Sequence, residues 1–207
     1  MKISKKIFIT LRDRIINLEY PPETQLSEEV LCKEFQISRT PLREALHELA
    51  DMNLVQSIPR YGTIIKPIEV NEIRNAYEMK VHLEQLAGSL AAKRAKKKHL
   101  NELRNILDDY ERAFDQGEEG AEYDVNFHEI IYEATHNNVL EQTLKKLTSQ
   151  CLRFCRLIIP EHLETNRSIS ELNGIYRAIK TKDRELSAVL CKQHAQYYFD
   201  RIREAAI

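Results

Sequence analysis

Apolar positions in the first third of the chain recur at helical spacing in short runs separated by turn residues. Ile7, Leu11, Ile15 and Ile16 share one face of a helix over 5–18, and the two prolines of "YPPETQLS" end it. Ser27 is a cap candidate for a short helix reaching Phe35, with Glu28 and Glu29 in the first turn, where carboxylates suit the dipole. After the tight turn "QIS", Leu42, Ala45, Leu46, Leu49 and Met52 form a stripe on a third helix. Ser38 is its cap candidate, and Pro41 falls in the first turn, where a missing N–H costs little. The pattern then changes: "VQSIPRYGTIIKPI" alternates and is rich in Ile, and it predicts a two-stranded hairpin with its loop near 59–62.

Helix, helix, turn, helix and hairpin is the order of a winged helix-turn-helix, and "KPIEV" reads as a linker. Beyond it the periodicity is helical throughout, over 71–96, 98–116, 121–135, 139–159, 168–180 and 183–204. "DQGEEG", "THNN", "IIPEH" and "KTKD" are the breaks. Long helices with short connections make an antiparallel bundle. The expected fold is mainly α: a winged helix-turn-helix domain over 1–68 and an all-helical domain over 69–207.

Composition adds little to this picture. Hydrophobic residues make up 43% and charged residues 30% of 207, as in a folded water-soluble chain. The formal net charge of -1 means that any basic surface is local. No apolar run approaches the ~20 residues that span a bilayer. The basic N-terminus is amphipathic, without the apolar core of a signal peptide, so a cytoplasmic protein without a membrane partner is expected. Cys32, Cys151, Cys155 and Cys191 form no CxxC pair and read as reduced thiols. The basic run "KRAKKKH" fits a solvated helix end.

A helix that enters the major groove needs reach at its first turn, an apolar back and nearby phosphate donors. "SRTPLREAL" supplies them. Arg39 and Arg43 lie one turn apart, and either fork matches guanine O6 and N7. Ser38 and Thr40 are short donors for phosphate oxygens, and the hairpin tip offers Arg60, Tyr61 and Gly62. The competing reading pairs the two arginines with Glu44 or Glu48 on the same helix.

"LSEEVLCKEFQISRTPLREALHELADMNLV" followed by "RYGTIIKPI" resembles the DNA-binding domain of the GntR family of bacterial transcription regulators, over about 5–68. The resemblance implies that Arg39, Thr40 and Arg43 contact double-stranded operator DNA, with the wing tip beside them. Two departures stand out. The family often has Gly before a Pro-Gly turn, where this chain has Leu18 and then Pro22-Glu23. It often has an Arg on the helix before the turn, where this chain has Glu29, a group that phosphate repels.

In the second domain, "YDVNFHEIIYEATHNN" puts Asp124 and His128 at i and i+4, on one helical face. That spacing suits a shared metal. His194 lies on the last helix among apolar neighbours, where a packed core imidazole is the alternative. "DxxxFH" with a late His resembles the FCD domain of the FadR-like branch of the same family, over about 71–203. The resemblance implies a divalent metal such as zinc held by an Asp and three His, with a small carboxylic acid effector completing its shell. Asp124, His128 and His194 match three ligands, and Leu172 stands where the fourth is expected. Arg153 and Arg156 would take an effector carboxylate bidentately unless they are surface ion pairs. Lys80 stands where the family usually has Arg, and would act on the effector or on a structural Glu.

The reading is an effector-responsive transcription regulator, a repressor by the habit of its relatives, binding a palindromic operator as a homodimer. It is not an enzyme. The alternatives are a ligand-independent DNA-binding regulator with a degenerate pocket, and a metal-dependent helical hydrolase. The hydrolase would need a general base and an oxyanion stabiliser near Asp124, which no motif organises.

Overall fold

The computed structural model describes residues 2–117, 120–158 and 165–205. Its elements run α1 (Ile3–Ile16), β1 (Gln25–Leu26), α2 (Glu28–Phe35), α3 (Arg39–Asp51), β2 (Val55–Ile58), β3 (Gly62–Ile65), α4 (Val70–Arg94), α5 (Lys97–Asp115), α6 (Ala121–Ala134), α7 (Asn138–Ile158), α8 (Thr165–Lys180) and α9 (Arg184–Ala205). No helix among the described residues is long and apolar enough to cross a membrane. The predicted breaks "DQGEEG" and "IIPEH" fall partly on 118–119 and 159–162, outside the described residues. The chain divides into two compact units, Met1–Ile73 with Ser149–Leu157, and Arg74–Thr148 with Ile158–Ile207.

In the first unit α1 packs on α3. Phe8, Leu11 and Ile15 meet Leu42, Ala45, Leu46 and Leu49 in one core that also takes Leu26, Leu31, Leu54, Val55 and Ile65. The stripe read from the sequence is therefore the buried face of α3. Ser27 caps α2 by accepting the Val30 N–H. Ser38 occupies the cap position of α3 with extended backbone, but its hydroxyl makes no capping bond. The hairpin is part of a three-stranded antiparallel sheet in the order β1-β3-β2, with Val55 opposite Ile65 and Ile58 opposite Gly62. The third strand, β1, pairs Gln25 with Ile64 and Leu26 with Thr63. Two residues are too few to show alternation, which is why the sequence did not reveal it.

With so few glycines, side-chain-bearing residues carry the left-handed turns. Gln36, His136 and Lys182 adopt positive φ just after α2, α6 and α8. Leu18 and Glu23, the two departures around the first turn, do the same at φ 60 and 67.

The second unit is an all-helical bundle. α5 packs against α6 and α8, and α8 against α9 and α6. Leu103, Leu107, Phe127, Ile131, Leu144, Leu172, Ile175 and Ile179 are its apolar centre. Asn137 and Asp183 cap α7 and α9 by accepting the Leu140 and Leu186 N–H groups.

Candidate nucleic-acid interface and metal centre

Burying Leu42, Ala45, Leu46 and Leu49 turns the opposite face of α3 to solvent. Ser38, Arg39, Thr40 and Arg43 are exposed there, as are Arg60, Tyr61 and Gly62 at the hairpin tip. Arg39 makes no ion pair or hydrogen bond among the described residues. Arg43 reaches across the turn to Glu28 of α2, with Nε 3.1 Å from each carboxylate oxygen. Its partner is thus neither Glu44 nor Glu48; Glu48 takes Lys5 at 3.2 Å. Glu29 pairs with Lys33 at 2.7 Å. At the tip, Arg60 and Gly62 have φ 65 and 109, and Gln25 Nε2 donates to the Tyr61 carbonyl at 2.5 Å, tying the loop to β1. An open groove of about 700 Å³ runs beside α3, and Lys5 and His47 line it with Arg43. The sequence reading had not singled out Lys5 or His47, though Lys2, Lys5 and Lys6 make α1 basic where its dipole disfavours cations.

The second site lies inside the bundle. Asp124 and His128 come from α6 and His194 from α9, with ligand atoms all within 4.8 Å of one another. His194 Nε2 is 3.3 Å from Asp124 Oδ2, and His128 Nε2 is 3.8 Å from Oδ1. The imidazoles stack with centroids 5.0 Å apart. Around them stands a second ring of polar groups. Glu84 of α4, fully buried, puts Oε2 3.3 Å from His128 Nδ1 and accepts from Lys80 Nζ at 2.6 Å on Oε1. The Tyr132 hydroxyl also donates to that oxygen. From α8, Ser168 Oγ donates to Asp124 Oδ2 at 2.5 Å, and Glu171 Oε2 lies 2.9 Å from His194 Nδ1.

These contacts order the charges. Burial pushes the Glu84 carboxyl up, but Lys80 and His128 overcome it and hold it well below the usual range. Asp124 follows the same pattern: burial raises it, and His194, His128 and Ser168 together bring it far down. Burial lowers His194, yet Asp124 and Glu171 prevail and push it up to about 9. Without a metal, His194 is thus the cation between two carboxylates.

Within this cluster, three buried atoms of the described residues make no hydrogen bond: His128 Nδ1 and Nε2, and Glu84 Oε2. A buried imidazole with both nitrogens unsatisfied is costly, and a divalent cation beside Asp124 would satisfy Nε2. Two imidazoles and a carboxylate are a donor set for first-row divalent ions. The residues fit a metal held by Asp124, His128 and His194, where it would supply Lewis acidity toward an anionic ligand. Among the described residues, α8 adds no fourth member to this group. Leu172 follows Ser168 by one turn on the same face and is fully buried and apolar. Asn173 is engaged elsewhere, donating to Glu111 and to the Ile169 carbonyl.

Lys80 is committed to Glu84, the structural alternative raised by the sequence. Arg153 is buried and donates to the Lys66 carbonyl at 2.9 Å, and with half-buried Arg156 it lies on the α7 segment that groups with the first unit. The sequence reading did not single out Glu84, Ser168 or Glu171. Only the "KVHLE" spacing, which sets Lys80 and Glu84 at i and i+4, hinted at one of them.

Residues 3–65 match the model of the bacterial regulatory proteins of the gntR family, and residues 75–197 match the FCD domain. This chain belongs to the GntR family and carries an FCD domain. It is a DNA-binding transcriptional regulator of the effector-sensing type, not an enzyme. The regulator is 28% identical over 195 residues to the HTH-type transcriptional regulator YdhC of Bacillus subtilis strain 168, covering 92% of this chain and 84% of that one. It is 24% identical over 205 residues to the HTH-type transcriptional repressor RspR of Escherichia coli K12, covering 98% and 90%. Escherichia coli McbR/YncC has the same fold, with a TM-score of 0.85 at 19% identity and full coverage of both chains.

Proposed function

We propose that the regulator represses transcription by binding a palindromic double-stranded operator as a homodimer, and that a small carboxylate effector controls it. Arg39 and Arg43 read base edges in the major groove; Ser38, Thr40 and the wing tip Arg60, Tyr61 and Gly62 hold phosphate and sugar. The effector's carboxylate is held by a divalent metal on Asp124, His128 and His194. Occupancy shifts the population of dimers whose two reading heads match the half-site spacing. Its place of action is then the cytoplasm.

The observation that carries this reading is the tip of α3, where Arg39 is exposed and unengaged at the end of a helix anchored by Leu42 and Leu46. The test selects duplex from a random pool with the purified protein and measures binding at fixed salt. Enrichment of an inverted repeat, and loss of binding on Arg39→Ala, support the reading. Retention of no sequence at low ionic strength overturns it.

A second reading, a ligand-independent regulator, draws on one observation: protonated His194 already balances Asp124 and Glu171. Elemental analysis of the purified protein separates the two, with a stoichiometric divalent metal excluding the second.

A further inference from the structure

Each imidazole of the cluster is backed by a carboxylate from a helix that supplies no metal ligand, and the two arrangements share one plan. In the first, Glu84 gives Oε1 to Lys80 and Tyr132 and turns Oε2 toward His128 Nδ1 at 3.3 Å. In the second, Glu171 gives Oε1 to Arg167 at 2.6 Å and Oε2 to His194 Nδ1 at 2.9 Å. In both, one oxygen is fixed by a cation and the other faces the ring nitrogen remote from Asp124. In both, Nε2 is the nitrogen near Asp124.

We propose that Glu84 and Glu171 are positioning residues for the metal: Glu171 accepts the Nδ1–H of His194, Glu84 Oε2 is poised to take that of His128 once a metal occupies Nε2, and each so commits the Nε2 lone pair to the cation beside Asp124. A neutral imidazole carries one N–H, and a carboxylate on Nδ1 decides which nitrogen keeps it. Ser168 completes the plan on the third ligand. By donating to Asp124 Oδ2 it leaves Oδ1 for the metal. Through Ser168 and Glu171, one turn apart, α8 contributes to the site from outside it, although Leu172 withholds a ligand. This inference rests on the metal-binding part of the function proposed above.

The experiment is a Co(II) titration of the metal-stripped full-length protein by calorimetry, with visible spectra and hyperfine-shifted proton NMR of the loaded form. The parent is expected to show two exchangeable ring N–H resonances, one for each Nδ1–H. Glu171 is partly exposed, so Glu171→Ala keeps the fold. It is expected to weaken Co(II) by roughly 10–100-fold, alter the d–d spectrum and lose one resonance. Glu171→Gln retains an acceptor and is expected to recover the resonance and part of the affinity. Glu84→Gln tests the buried counterpart; if it does not fold, the two Glu171 variants decide. A Glu171→Ala protein that matches the parent in affinity, spectrum and resonances overturns the proposal while leaving the metal site standing. A parent that binds no Co(II) overturns both.

Discussion

Arg43 is held by Glu28 across the turn between α2 and α3, with its side chain 64% exposed and both carboxylate oxygens in reach. The pair would compete with any guanine for the same fork. An exposed pair of this kind is weak and screened by solvent, so DNA would displace Glu28 at small cost. Removing the competitor is therefore expected to help binding modestly. Glu28→Gln should tighten operator binding a few-fold, and Arg43→Ala should weaken it by about 1–3 kcal/mol and relax specificity at one base pair. Fluorescence anisotropy on operator variants at constant salt reads both. Equal affinity for parent and Arg43→Ala would remove this side chain from the interface.

The buried cluster gives the metal-free protein a defined dependence on pH. His194 stands at about 9 in the folded state against 6.5 when unperturbed. Its contribution is thus fully present below pH 6.5 and fades as pH rises toward 9. Asp124, Glu84 and Glu171 are all depressed, so theirs is present above their unperturbed 3.8 to 4.5 and fades as pH falls. Chelator-treated protein is expected to be most stable between about pH 4.5 and 6.5, losing on the order of a few kcal/mol toward pH 9. A metal bound at His194 would take the place of its proton, so the loaded protein should not show the high-pH decline, and apparent affinity should rise with pH. Thermal melts of stripped and loaded samples across this range test it. A stripped protein whose melting temperature climbs between pH 6.5 and 9 contradicts the assignment.

At Gly88 the backbone of α4 comes close to α9. A Cβ there would lie 2.6 Å from the Ser187 carbonyl oxygen and 2.7 Å from Cys191 Sγ, while the Ser187 hydroxyl donates to the Gly88 carbonyl at 2.9 Å. In an exposed helix, Gly→Ala gains up to about 1 kcal/mol. Here the methyl meets backbone on the facing helix, which cannot rotate away. Gly88→Ala is expected to destabilise by about 1–3 kcal/mol, as overpacked cores do. A neutral or raised denaturation midpoint would mean that the two helices separate freely.

Much of this molecule was legible in its pattern of apolar positions. The helix stripes of α3 and of the bundle placed the elements within a few residues, because burying one face is what makes these helices. "SRTPLREAL" revealed the exposed donors for the same reason: residues off the stripe must face outward. Asp124 and His128 were legible as a pair because i and i+4 are neighbours on any helix. Glu84 and Glu171 were not, since each meets its histidine from another helix and no local spacing encodes that. Glu28 was hidden for the same reason, and the partners suggested for Arg43 were local ones. Leu18 and Glu23 were visible as departures, but only the backbone angles show that they occupy conformations glycine prefers.

Leu172 offers a direct test of whether α8 can add a ligand to the Asp124, His128 and His194 group. It lies one turn beyond Ser168, whose hydroxyl already reaches Asp124, and it is sealed in the apolar centre with Ile175. Replacing it with His exchanges a well-packed apolar side chain for a polar ring. Without metal, the ring nitrogens lack water and the core loses contacts, a cost of about 2–4 kcal/mol. With metal, the new imidazole faces the same side of α8 as Ser168 and adds a ligand. Leu172→His is therefore expected to lower the melting temperature of the stripped protein and to enlarge the stabilisation by Zn(II), because ligand-linked stability grows with affinity. Calorimetry should show tighter Zn(II) binding than in the parent. A variant that is destabilised yet gains no affinity would mean that this face of α8 looks past the metal, and that Ser168 and Glu171 are its only links to the site.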